Sequence, residues 1–176
     1  MARASIQQRF DCDEETFWRV LFFAEDFNRK LFLEHLKFDG WELTQYDETD
    51  AAIEREITVK PVTGPLPGPI KKLVGDNLGY RERGRYDKKT GRYRFTIVPN
   101  TLPEKVDISG EIHLEVPEEG KVDRILELDV DCKVFGIGKL VEKRIIEDTK
   151  KSYDDSYGCM KEELAAQSIS TTTCSR

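Results

Sequence analysis

The chain is poor in the residues that build metal and nucleophile sites. His35 and His113 are its only histidines. They stand far apart, and neither forms a recognisable metal pair or triad. Its four cysteines are Cys12, Cys132, Cys159 and Cys174, and none sits in a C-x-x-C pair. That excludes zinc-ribbon and thioredoxin-like readings. The start, Met1 to Ala4, carries no apolar signal segment, so unpaired thiols in a reducing compartment, and a cytoplasmic location, are expected. No apolar run approaches the roughly 18 residues a membrane helix needs. A basic surplus is missing too: the formal net charge is −6, which argues against a general nucleic-acid binder. No internal repeat is visible. These shortages predict no metal, no cofactor and no catalytic residue.

A phosphate loop is also excluded. Gly136, Gly138 and Lys139 stand between a strand pattern and a helix pattern, but a Walker loop needs glycine where Lys133 stands and serine or threonine where Leu140 stands. A dinucleotide fingerprint needs glycine where Val141 stands. The two glycines are expected to make a tight turn.

What remains is an ordinary charged protein of 176 residues, 38% hydrophobic and 35% charged, a size that favours one domain with a real core. Its order of elements is informative. Ser5 to Phe10 reads as a strand, and Asp13 to Leu36 as two short helices. Six strands' worth of period-two pattern run from Phe38 to Lys133. Lys139 to about Gln167 then reads as one long helix, striped by Ile146, Thr149, Tyr153, Tyr157, Met160 and Leu164. Gly158 interrupts that helix, which suggests a close approach of its backbone to sheet or ligand. Alternation sets Ile53, Arg55, Ile57 and Val59 on one face, with Tyr80, Glu82, Tyr93, Phe95, Ile112, Leu126 and Leu128, and leaves charged residues on the other. One dry face and one wet face is the antiparallel signature. The expected domain is 1–167, and the polar stretch 168–176 reads as a disordered tail.

Three features bear on function. Arg55 and Glu82 are charged yet alternate inward, and an antiparallel pair closing over Pro61 to Asn77 is expected to set them opposite each other. Gln8 and Gln45 are weaker inward polar candidates. Ile70, Leu73 and Val74 form an apolar helical turn within that proline-rich stretch and read as a gate. Arg81, Arg83, Arg85, Lys88, Lys89, Arg92 and Arg94 crowd one hairpin on the outer face, where Glu54, Glu56, Glu111 and Glu115 can neutralise most of them. The tip at Lys88 and Lys89 offers a transient contact with an anionic membrane.

The strand, two helices, six strands and closing helix resemble the START-like superfamily, also called SRPBCC, whose fold is the helix grip. Phe10 to Trp18 resembles the family's opening. Phe135 to Glu142 resembles the turn into the last helix of a bacterial branch with no assigned function. The resemblance implies an α+β helix-grip fold, a seven-stranded curved antiparallel sheet wrapped around a long C-terminal helix with two short helices after the first strand. It also implies a cavity between sheet and helix. The expected lining is Arg55, Ile57, Tyr80, Glu82, Phe95, Ile112, Leu128, Tyr153 and Tyr157. The expected partner is a hydrophobic or amphipathic, lipid-like small molecule, held by a carrier or sensor in preference to an enzyme. The alternatives are a cyclase or dehydratase on the same fold, and a cavity-free interaction module using the charged face.

Overall fold

The computed structural model describes residues 1–173, with side chains described through Ser168. Strand β1 (Ala2–Phe10) begins earlier than its pattern suggested, because Ala2 and Ala4 continue the same inward row. Two short helices follow. α1 opens at Glu14–Thr16 and widens into a π-wound turn over Phe17–Phe22. α2 does the same, over Glu25–Lys30 and then Leu31–His35. Asp13 caps α1 by accepting the Thr16 N–H at 2.7 Å. Buried Asn28 holds the turn between the helices: its Nδ2 donates to the carbonyls of Leu21, Phe22 and Ala24. The Leu21 and Phe22 carbonyls stand at the end of α1, where helical partners run out, and the Ala24 carbonyl caps the start of α2, where it also accepts the Asn28 backbone N–H at 3.0 Å.

Strands β2 (Gly40–Glu48), β3 (Ala52–Lys60), β4 (Tyr80–Asp87), β5 (Arg92–Pro99), β6 (Val106–Glu118) and β7 (Lys121–Cys132) complete a seven-stranded antiparallel sheet of order β1-β7-β6-β5-β4-β3-β2. Helix α3 (Gly68–Val74) sits in the long β3–β4 connection. Helix α4 (Gly138–Thr173) closes the domain. The fold is therefore the α+β helix grip. Its helix runs on through Thr173, beyond the boundary expected at Gln167. The reading of 168–176 as a tail thus meets a helical backbone through Thr173, and 174–176 lie outside the described residues.

Two expectations fail on local geometry. A bulge between Leu43 and Gln45 shifts the register of β2 against β3, and Gln45 ends up exposed and bonded to Asp47. It is not an inward residue. Gly158 meets no neighbour within 4 Å of where a Cβ would stand, so no close approach explains it. Without that constraint, Gly158→Ala should stabilise the protein by about 1 kcal/mol, the helix propensity difference. A lower urea midpoint for the variant would show that the glycine is needed after all. Gly136 and Gly138 make the tight turn expected of them. Gly136 has φ +82°, and a Cβ on Gly138 would collide with the Cys132 carbonyl.

Candidate functional site

The inward face of the sheet carries two buried clusters, bridged by Phe32, which packs against both. The larger takes in Phe10, Phe17, Tyr93, Phe95, Ile112 and Leu128, with Tyr153 and Tyr157 of α4 against it. The smaller holds Trp41, Ile57 and Val59, with Tyr80 and Phe32 packed on it. Expected cavity residues therefore fall in both clusters: Ile57 and Tyr80 in one, Phe95, Ile112, Leu128, Tyr153 and Tyr157 in the other. Helix α4 packs on β1, β7 and the two short helices, and has no comparable contact with β3, β4 or β5. It stands off the middle of the sheet.

Arg55 and Glu82 meet where the helix stands off. The register differs from expectation by two residues. Gly84 lies opposite Arg55, and Glu82 lies opposite Ile57. The pair forms on the diagonal, Nη2 to Oε1 at 3.4 Å. Gly84 makes room for the fully buried Tyr93, whose ring fills the place its side chain would take. The Tyr93 hydroxyl accepts from Arg55 Nε at 3.1 Å and donates to Glu82 Oε1 at 2.8 Å. Arg55 Nη1 donates to the Phe22 carbonyl at 2.9 Å, and the guanidinium lies 4.2 Å from the Phe22 ring centroid. Burial alone would weaken the charge on Arg55, but Tyr93 and Glu82 outweigh it, and the net shift is upward. Glu82 Oε2 accepts no hydrogen bond among the described residues.

Tyr80 and Tyr153 are half-buried. Desolvation pushes both phenols up, aided by the Glu82 charge. Among the described residues neither hydroxyl has a hydrogen-bond partner. Tyr153 is also influenced by Arg124 and Arg55. The Trp41 indole N–H is buried without a partner as well. Polar groups left this way in a native interior call for water or a ligand.

The clearest open concavity lies elsewhere. It measures about 610 Å³ and occupies the outer face of the sheet between Glu54, Arg85, Arg94, Glu111 and Glu127. A second, of about 480 Å³, flanks the start of α4 beside Met1 and Lys143. Neither lies between sheet and helix. The outer groove is charged and internally paired. Arg83 bonds Glu56, Arg85 bonds Glu54, and Arg92 and Arg94 share Glu111. Lys88 is held by Glu48 at 2.7 Å, and Lys89 at the hairpin tip has no ion-pair partner among the described residues.

The apolar turn of α3 packs on the core. Ile70 is buried in the larger cluster, with Leu66, Leu73 and Val74 beside it. Their segment is tied to α4 by Arg144, whose Nη1 donates to the Pro65 carbonyl at 2.9 Å. His113 is half-covered beside Glu111.

A residue that escaped notice is Arg124. The alternation Leu126, Leu128, Val130 extends back to it, and its side chain points inward from β7, with 5% of its surface exposed. Gln8 lies beside it, and the Gln8 side chain accepts a hydrogen bond from its Nη2. Its neighbour Asp123 faces the other way, toward Arg9 and Gln7.

A curved seven-stranded sheet closed on a long C-terminal helix, with polar side chains set between them, defines the helix-grip fold. Solved structures share this fold over nearly their whole lengths. A norcoclaurine synthase point mutant from Thalictrum flavum, in complex with a transition state analogue, aligns with a TM-score of 0.65 at 14% identity, covering 94% of this chain and 96% of that one. The Zhui aromatase/cyclase from Streptomyces sp. R1128 aligns at 0.61 and 11% identity, covering 93% and 95%. The protein TTHA0849 from Thermus thermophilus aligns at 0.62 and 15% identity, covering 95% and 99%. At such identities the likeness shows the fold alone. Residues 5–164 match the family described as "Protein of unknown function (DUF2505)", and the chain belongs to that family. No curated protein matches its sequence.

Proposed function

We propose that this protein binds a hydrophobic or amphipathic small molecule between the sheet and α4, as a carrier or sensor. The observation that carries the reading is the state of Tyr80 and Tyr153: half-buried, desolvated, and with hydroxyls that have no partner among the described residues. Support comes from the stand-off of α4. A hollow lined by aromatic and aliphatic groups with a few polar ones is the ordinary build of a small-molecule site. In this reading Ile57, Phe95, Ile112, Leu128 and Tyr157 form the walls. Ile70, Leu73 and Val74 are the gate, held shut through Arg144. Arg55 is a strut whose bonds are spent on Tyr93, Phe22 and Glu82. Glu82, with one free oxygen, is the group that meets the ligand. Lipid-like ligands fit the walls. Membrane docking through Lys88 and Lys89 forms no part of the reading, since Glu48 already occupies Lys88.

A cyclase-type enzyme is the second reading, favoured by the electrostatic influence of Glu82 on both the Tyr80 and Tyr153 phenols and by the names of the cyclase and synthase that share the fold. The raised phenols would serve there as proton donors, not as bases.

Binding is tested with N-phenyl-1-naphthylamine, a neutral fluorophore that brightens in apolar surroundings. Ile97 lies opposite Glu82, half-buried in the same space. Ile97→Trp should fill the hollow, abolish the fluorescence gain, and cost under about 1 kcal/mol of stability. If the interface is solid, the same change overpacks it and costs about 1–3 kcal/mol, with no probe bound by the unaltered protein.

A further inference from the structure

The two buried arginines of the interior are in opposite situations. Arg55 has a carboxylate, a phenol, a carbonyl and three aromatic faces. Arg124 is buried as deeply, but its contacts are all neutral. It donates to the Gln8 side-chain oxygen and lies 3.5 Å from the Met160 sulfur. Its guanidinium carbon lies 4.4 Å from the Tyr153 ring centroid and 5.3 Å from that of Phe10. Among the described residues, no carboxylate comes within salt-bridge distance of it. Burial pulls its pKa down, against smaller upward pulls from Tyr153 and Tyr157.

A buried cation without a counter-ion is strongly disfavoured, and native proteins pair such charges. The adjacent acid in the chain, Asp123, cannot serve, because the pleat sends it to the other face and Arg9 takes both its oxygens. The guanidinium is nevertheless held in a set orientation. Gln8 accepts from Arg124 through Oε1 and donates to the Tyr153 carbonyl through Nε2 at 3.0 Å. One amide thus links β7, β1 and α4 and fixes its own orientation. Aromatic faces flank the cation, and an arginine has five N–H donors, more than these contacts use. Tyr153, whose ring lies 4.4 Å from the guanidinium carbon, links this charge to the Arg55–Glu82 pair, since both arginines pull its phenol down and Glu82 pushes it up.

We propose that Arg124 is the anchor for one anionic group of the bound molecule, so that the ligand is an apolar body carrying a single acid. This rests on the reading of the sheet–helix space as a binding site and adds the ligand's charge to it. The acid would supply the counter-ion that the fold withholds, with charge-assisted hydrogen bonds in a water-poor setting.

Two probes with the same ring system separate the claims. N-phenyl-1-naphthylamine is neutral, and 8-anilinonaphthalene-1-sulfonate adds one sulfonate. The unaltered protein should bind both, the sulfonate more tightly. Arg124→Met should lower sulfonate affinity at least about 10-fold, in line with the loss of a charged hydrogen bond, and leave neutral-probe affinity within about 2-fold. Should Arg124→Met fail to fold, Arg124→Gln carries the same test. An unchanged ratio of the two affinities in the variant would overturn the anchor and leave the binding site standing. Failure of the unaltered protein to bind either probe would overturn both.

Discussion

Arg55→Met should lower the unfolding free energy by about 3–5 kcal/mol, the usual cost of removing one partner from a buried ion pair. The loss has three sources. Glu82 keeps only the Tyr93 hydroxyl at its Oε1. The Phe22 carbonyl, at the end of α1, loses the charged one of its two donors and keeps Asn28 Nδ2. The rings of Phe22 and Tyr93 lose the cation packed against them. Glu82→Gln should cost less, because a neutral amide oxygen can still accept from Tyr93 and Arg55. Urea unfolding of both variants checks the order. If Arg55→Met unfolds at nearly the unaltered midpoint while neutral-probe affinity falls 10-fold or more, Arg55 is a ligand anchor and not a strut.

The second large effect is expected at Gly84. A Cβ at this position would fall on the hydroxyl end of the Tyr93 ring, and Tyr93 is fully buried, so the ring has little room to yield. Gly84→Ala should therefore cost about 3 kcal/mol, near the top of the range for overpacking, because displacing the ring also breaks its bonds to Arg55 and Glu82. Thermal or urea unfolding reads the loss directly. A cost below about 1 kcal/mol would show that Tyr93 has an alternative position and that its hydroxyl is not the pivot between the two charges.

Much of this architecture is legible in the sequence because a sheet with one wet face writes its period into the chain. The rows through Arg55, Tyr93 and Leu128 could be read that way, and so could the neutralisation of Arg83, Arg85 and Arg94 by glutamates across the strands. The inward direction of Arg55 and Glu82 follows from the same alternation, but their alignment does not. It depends on how many residues α3 and the stretch from Gly75 to Gly79 consume before β4 begins at Tyr80. Gln45 is misread for a related reason, since a single-residue bulge reverses the face of everything after it. The π-wound ends of α1 and α2 leave no mark in apolar spacing over so few residues. Arg124 was within reach: the row from Leu126 to Cys132 extends backward to it without a break, but an arginine beside an aspartate looks like a solvated pair. Only the packing shows that Asp123 belongs to Arg9 and that Arg124 has no acid of its own.

The central claim is that a small apolar molecule enters the space between sheet and α4. The most direct measurement is an NMR spectrum of the isotope-labelled protein saturated with N-phenyl-1-naphthylamine, read for intermolecular contacts. The binding reading predicts contacts from the probe to the side chains of Tyr80, Ile97 and Tyr153. Contacts confined to Thr96, Arg94 or Glu111 in the outer groove, or none at all, would contradict it.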